Sequence, residues 1–195
     1  AEGLIDANGR RSVTAFPTRI ALITSLGSAA HADFIQEVSA SGLGVHILAI
    51  DSRVQGTDAV ESIVRALKRA VEERVDVIAV VRGGGARTDL AAFDHASVCR
   101  AVAGTKIPVW SGLGHETDRT VFDVVAHSTF KTPTACAAAI VERITGDRQI
   151  LEDHFEAVID RAAAALESAS NGLDRRTNRI VRSAEHRLRA ADGRL

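Results

Sequence analysis

Two stretches carry side chains suited to phosphate chemistry. In "VIAVVRGGGARTDL" (77–90) an apolar run ends in Arg82, Gly83, Gly84 and Gly85, with Asp89 close behind. In "IPVWSGLGHETD" (107–118) a second apolar run ends in Gly112, Gly114, His115, Glu116 and Asp118. Glycines let backbone N–H groups approach a ligand with no Cβ in the way. An arginine fork grips two phosphate oxygens and stays charged at any relevant pH. His115 can serve as acid, base or nucleophile on phosphorus, with Asp118 or Glu116 fixing its tautomer. The first stretch is no P-loop, because a lysine and Ser/Thr at the required spacing are missing. Plainer alternatives stand beside these. The glycines can form a tight turn while Arg82 pairs with a carboxylate, and Asp118 or Thr117 can simply cap the next helix.

Positioning such groups needs strands, and the chain supplies them. "RIALIT" (19–24), "VHILAI" (45–50), "VDVIAVV" (75–81) and "IPVWS" (107–111) read as four strands. Helical patterns separate them: one with Phe34, Ile35 and Val38, one with Val60, Ile63, Val64, Leu67 and Val71 capped by Thr57 or Asp58, and one across roughly 94–103. Two further helical segments follow, after Asp118 and after Pro133. Alternating strands and helices predict an α/β fold, with an open, mostly parallel, Rossmann-like sheet and helices on both faces. Ligands in such folds bind beyond the carboxyl ends of the strands. On that template one edge collects Ser25, Ser28, His31 and Asp33, then Asp51, Arg53 and Gln55, then the two stretches above. The opposite edge offers "ASGLG", "EERVD" and "AGTK", ordinary turn composition. Ser25, Gln55, Arg82, Gly83, Gly84, Gly85 and Gly114 are therefore candidates for holding phosphate, supported by Asp89, Glu116 and Asp123. Carboxylates on this edge can also hold magnesium, although no HExxH or CxxC pattern occurs.

The predicted layout is a lead-in segment (1–18), an α/β domain (19–146) and a long helical extension (147–195). In the extension Ile159, Leu166, Leu173 and Ile180 stand seven apart, and Leu188 and Leu195 continue after a one-residue slip. That seam predicts a coiled coil with a partner or with itself, or else a helix folded back on the domain. The chain has 195 residues, 46% hydrophobic and 25% charged, with a formal net charge of −1. Anion binding must then be local, because no whole-chain basic field exists. Only 4% of residues are aromatic, which argues against a stacking platform for single-stranded bases. Cys99 and Cys136 have no metal-ligand spacing and read as buried, reduced thiols. No signal-like or membrane-spanning run appears, so the expectation is a cytoplasmic protein with no membrane partner. Methionine is absent and the chain begins at Ala1, as expected of part of a longer polypeptide.

The ordered set "GLIDANGRR", "FPTRIALITS", "AAHAD", "VQG", "RGGGARTDLAAFD", "IPVWSGLGHETDRTVFDVVAH" and "KTPTACAAA" resembles the large subunit of exodeoxyribonuclease VII. The resemblance covers roughly residues 3–140, and the helical tail is similar to that family's coiled-coil region. It implies a nuclease that hydrolyses single-stranded DNA to short oligonucleotides, needs no cofactor, and carries small helical subunits on its coiled coil. Catalytic roles would fall on Asp33, Arg82, His115 and Asp118. The chain departs from the family pattern at Leu26-Gly27-Ser28, Ala32, Ala86, Ala91, Asp94, Thr129 and Ala139. Asp94, a charge in place of a neutral amide, is expected to repel phosphate. Two other functions compete: a non-catalytic nucleic-acid or partner-binding scaffold of the same ancestry, and a metal-dependent phosphoesterase.

Overall fold

The computed structural model describes residues 3–84, 87–113 and 119–192; the side chains of 87–89, 188 and 190–192 are outside that set. Five parallel strands form one sheet in the order β2-β1-β3-β4-β5. They are β1 (Arg19–Thr24), β2 (His46–Asp51), β3 (Val77–Val81), β4 (Val109–Gly112) and β5 (Ser128–Thr129). The expected α/β architecture is present, with one strand more than the sequence pattern gives. β5 has only two residues and therefore leaves no apolar run to read.

Alternate residues of the strands serve opposite faces, and both are covered, which is why β1 and β3 read as unbroken apolar runs. Ile20 and Leu22 of β1 join Val77, Ala79 and Val81 of β3 under α1 (Ala29–Ala40) and the start of α5 (Pro133–Asp192). Ala21, Ile23, Ile78 and Val80 face the other way, under α2 (Ala59–Glu72), α3 (Ala96–Gly104) and α4 (Val121–Val125). In α1, Ala30, Phe34 and Val38 recur every four residues, and Ser28 caps the start by accepting from the His31 N–H. Gly42, at a φ of +66°, ends it, a turn in which a side chain would be strained. The buried face of α2 is Ala59, Ile63, Ala66, Leu67 and Ala70. Val71 is 45% exposed, because the small alanines, and not the valines, line the close approach to the sheet. Asp58 starts α2 without a side-chain cap; its carboxylate pairs with Arg53 instead.

The lead-in segment is woven into the same domain. Asn8, 0% exposed, donates to the carbonyls of Val102 (3.2 Å) and Ile107 (3.0 Å) and accepts from the Val109 N–H (2.8 Å). It thereby satisfies the backbone where α3 passes into β4. Phe16 takes a φ of +55°, unusual for a bulky residue and more so before a proline. Its N–H donates to Asp147 Oδ2 (3.1 Å), which also accepts from Arg143 Nε (3.0 Å).

The chain divides into two compact units, Ala1–Asp147 and Arg148–Leu195. Helix α5 begins with Thr132 accepting from the Ala135 N–H, and with Pro133 at the first helical position. It spans Pro133–Asp192. In the first unit its Cys136, Ala137, Ile140 and Ile144 are core. In the second unit, taken by itself, Leu151, Phe155, Ile159, Leu166, Leu173 and Ile180 are all more than half exposed. No helix among the described residues is long and apolar enough to cross a membrane.

Candidate active site

The strand order reverses between β2-β1 and β3-β4-β5, so the loops leaving β1 and β3 turn to opposite faces and open a crevice at their carboxyl ends. The ladders set the levels. Ile23 pairs with Val80, and Val81 with Gly112, which puts Ser25, Arg82 and Leu113 side by side just beyond the strands. Arg82 N–H donates to the Gly112 carbonyl (3.2 Å), extending the β3–β4 ladder by one residue. The residue is 2% exposed. A guanidinium so far out of water acts on nearby anions with little solvent screening. A Cβ on Gly83 would lie 3.7 Å from the Ala30 Cβ and 3.9 Å from the Ala30 N. The glycine loop therefore passes the first turn of α1, the helix that carries exposed Asp33 one turn further on. Gly84 has open space around its α-carbon.

The structure thus brings Ser25, Arg82, Gly83, Gly84 and the Asp33 helix to one crevice. Ser25 already has a use there: its hydroxyl donates to the Ser52 carbonyl (3.0 Å), lacing the β1 and β2 loops together. The Leu26 N–H adds a second stitch to Asp51 Oδ1 (3.0 Å). Gln55 is exposed, four residues past the end of edge strand β2 and two strands away from Arg82. Gly85, Gly114, His115, Glu116 and Asp118 lie outside the described residues. Asp89 falls in the 3-10 helix Arg87–Asp94, and its side chain lies outside them too.

What frames residues 114–118 is well defined. Asp123, 8% exposed, accepts the Ser111 hydroxyl with one carboxylate oxygen. Its other oxygen accepts the Thr120 N–H (2.9 Å) and hydroxyl (2.8 Å). Ser111 precedes the loop and Thr120 follows it, so one buried carboxylate ties both ends. Thr120 and Asp123 also form a capping box on α4, and the Thr129 hydroxyl donates to the Asp123 carbonyl (3.0 Å). The cap of α4 is therefore Thr120 and not Thr117 or Asp118. Gly112 has a packing role. It closes β4, where a Cβ would sit 3.0 Å from the Cys136 Cβ and 3.2 Å from the Thr132 carbonyl oxygen. Its role is to let the start of α5 approach the strand.

Sequence reasoning named Asp123 without its role and missed Asn8, Ser111 and Thr120. The Thr-x-x-Asp spacing of 120–123 was a readable capping signal. Both cysteines are free and buried as expected. Burial pushes both thiols above their ordinary range, and the Asp94 carboxylate adds to the shift at Cys99. Among the described residues no three His, Cys, Asp or Glu side chains are grouped to hold a metal ion.

Comparison with known proteins places the chain in a family. The family model for exonuclease VII, large subunit, matches residues 4–195. Among curated relatives, the exodeoxyribonuclease 7 large subunit of Syntrophotalea carbinolica is 38% identical over 167 residues, 85% of this chain and 41% of the relative. That of Pseudothermotoga lettingae is 39% identical over 161 residues, 83% and 40% of the two chains. That of Corynebacterium glutamicum is 38% identical over 167 residues, 85% and 39%. The chain spans about two fifths of the length of these relatives. On a match that takes in the sheet, both candidate loops and the long helix, the chain belongs to the exonuclease VII large-subunit family.

Proposed function

We propose that this chain carries the phosphodiester-cleaving site of a nuclease that hydrolyses single-stranded DNA to short oligonucleotides. The observation that carries the proposal is Arg82, buried at the end of β3, level with Leu113 and followed by Gly83 and Gly84. Arg82 and the glycine amides neutralise the charge that grows on the phosphoryl oxygens in the transition state. His115 attacks phosphorus or moves the proton between water and the leaving oxygen, oriented by Asp118. Asp33 activates or positions the water. Ser25, Gln55 and Gly114 hold neighbouring phosphates, with Asp89, Glu116 and Asp123 in support. No step requires a metal.

The exposed apolar seam of α5 supports a second part of the proposal. Leu166 is 73% exposed and Ile180 68%, in line with Leu173 at 63%. Such a stripe on a lone helix asks for a helical partner, here the small subunit of the complex, or a second large subunit. Aspartate at both Leu166 and Leu173 is expected to abolish co-purification of the small subunit while leaving the α/β unit folded.

The test of cleavage is release of short products from end-labelled single-stranded DNA by the intact enzyme, in EDTA and then in magnesium. His115→Ala and Arg82→Ala are each expected to lower kcat by about a thousandfold or more, the melting temperature staying nearly unchanged in His115→Ala and falling in Arg82→Ala, whose side chain is buried. Cleavage only in magnesium would reassign the carboxylates as metal ligands. No cleavage by the parent in either buffer would overturn the nuclease reading in favour of a binding scaffold.

A further inference from the structure

The 3-10 helix and α4 follow the two candidate loops, and they are fastened to each other. Asp94, the last residue of the 3-10 helix, accepts the N–H of Val121, the first residue of α4, at 2.7 Å across 27 residues of sequence. Beside that bond Phe93 and Phe122 meet edge to face, ring centroids 5.5 Å apart at 83°, both 0% exposed. Upstream, the same two segments are joined by the bond from Arg82 N–H to the Gly112 carbonyl. The described residues that precede and follow 85–86 and 114–118 are thus joined upstream at Arg82 and Gly112 and downstream at Asp94 and Val121. Asp123 of α4 adds a buried bond to β4 through Ser111.

We infer that Asp94 is a positioning residue, the downstream strut that fixes the His115 loop against Arg82. The inference rests on the nuclease reading of those loops. A carboxylate accepting a helix-start N–H is a charge-assisted bond favoured by the positive end of the helix. Asp94 is itself exposed, so little core packing depends on its side chain. Transition-state stabilisation depends on distances held to within about an ångström, and a strut of this kind acts on kcat through them. The expected repulsion of phosphate is then secondary: one carboxylate oxygen of Asp94 is turned to the Val121 amide.

The test compares Asp94→Ala with Asp94→Asn in the intact enzyme. Asparagine keeps an acceptor oxygen for Val121 and loses the charge; alanine loses the acceptor. Asp94→Ala is expected to lower kcat about tenfold or more with KM for single-stranded DNA changed less than about twofold. Asp94→Asn should recover kcat to within about threefold of the parent, with KM equal or lower. Amide exchange at Val121 gives a readout that does not need turnover. It should be slow in the parent and Asp94→Asn, and faster in Asp94→Ala. Equal kcat in parent and Asp94→Ala would overturn the inference. So would an Asp94→Asn protein as impaired as Asp94→Ala, which would make the charge the relevant property. If the parent shows no turnover, the nuclease reading fails by itself, and unchanged Val121 exchange in Asp94→Ala would then remove the strut as well.

Discussion

At the edge where the strands begin, Asn8 is completely buried and all three of its side-chain bonds go to the backbone. At the edge where they end, Asp33, Gln55 and Gly84 are open to solvent, while Arg82 is sunk beneath them. The same kind of sheet has been finished in two ways. One edge directs its polar side chain at the protein's own backbone and is sealed. The other carries exposed Asp33, Gln55 and Gly84, with Ser25 and Asp51 bonded across the β1 and β2 loops. On the proposed function, stability and chemistry fall to opposite ends of the same strands, and substitutions at the two ends should separate the two properties.

The largest effect on folding is expected at the sealed edge. Asn8→Ala would leave the Ile107 carbonyl and the Val109 N–H without that partner, while the Val102 carbonyl keeps the Thr105 N–H. At roughly 1–3 kcal/mol for each group left unsatisfied, the loss should reach at least about 2 kcal/mol. In thermal melts this would appear as a fall of about 4–8 °C. Turnover per folded molecule should be unchanged below the transition, because the Asn8 bonds lie where β4 begins and the crevice lies where it ends. A kcat that drops along with the melting temperature would break the division of labour between the edges.

Asp123 should behave differently from both Asn8 and Arg82, because it belongs to the upper edge yet acts on protein. In Asp123→Asn the amide oxygen still accepts from Thr120 and the NH2 turns to the Ser111 hydroxyl, so the contacts are kept but lose their charge assistance. A loss of about 2 kcal/mol is expected, together with a fall in kcat of about tenfold as both ends of the His115 loop loosen. Ser111→Ala removes a single bond and should show a fraction of each effect. An Asp123→Asn protein destabilised but fully active would place the residue with Asn8 as a purely structural group.

These differences also explain what could be read in advance. The strands β1 and β3 were legible because burial on both faces leaves an apolar run with no alternation. Arg82 was legible because a charge and three glycines at the end of such a run have few uses. Asn8 was not, since nothing distinguishes it from any turn asparagine and its partners lie 94 to 101 residues away. Asp123 stood in between. Its capping box with Thr120 is a local signal, but the bond to Ser111 is made by the fold. The run of Thr117 and Asp118 just upstream offered an equally good local cap. Position in the sheet decided between them, and that is not written in any short window.

The last expected effect shows only at alkaline pH; it concerns the face that the start of α5 covers, and it has a definite sign. Cys136 is 0% exposed, and burial alone raises its thiol well above the ordinary range. In the unfolded chain the thiol ionises near its usual value of about 8.5. Below that pH both states hold the proton and stability is independent of it. Above it the unfolded chain releases the proton and the folded chain retains it, so stability falls as pH rises. The slope approaches about 1.4 kcal/mol per pH unit until the folded thiol ionises. Cys99, raised by burial and then by Asp94, adds to the same alkaline loss over a narrower range. The chain has no tyrosine, so fewer other groups titrate there. Cys136→Ala keeps the Cβ that packs against Gly112 and removes the titrating group. Its melting temperature should start slightly below the parent's at pH 7.5 and fall less steeply between pH 8.5 and 10.5, roughly as one such group predicts. Parallel curves over that range would mean that water reaches the thiol, and that the start of α5 does not seal this face of the sheet as Asn8 seals its edge.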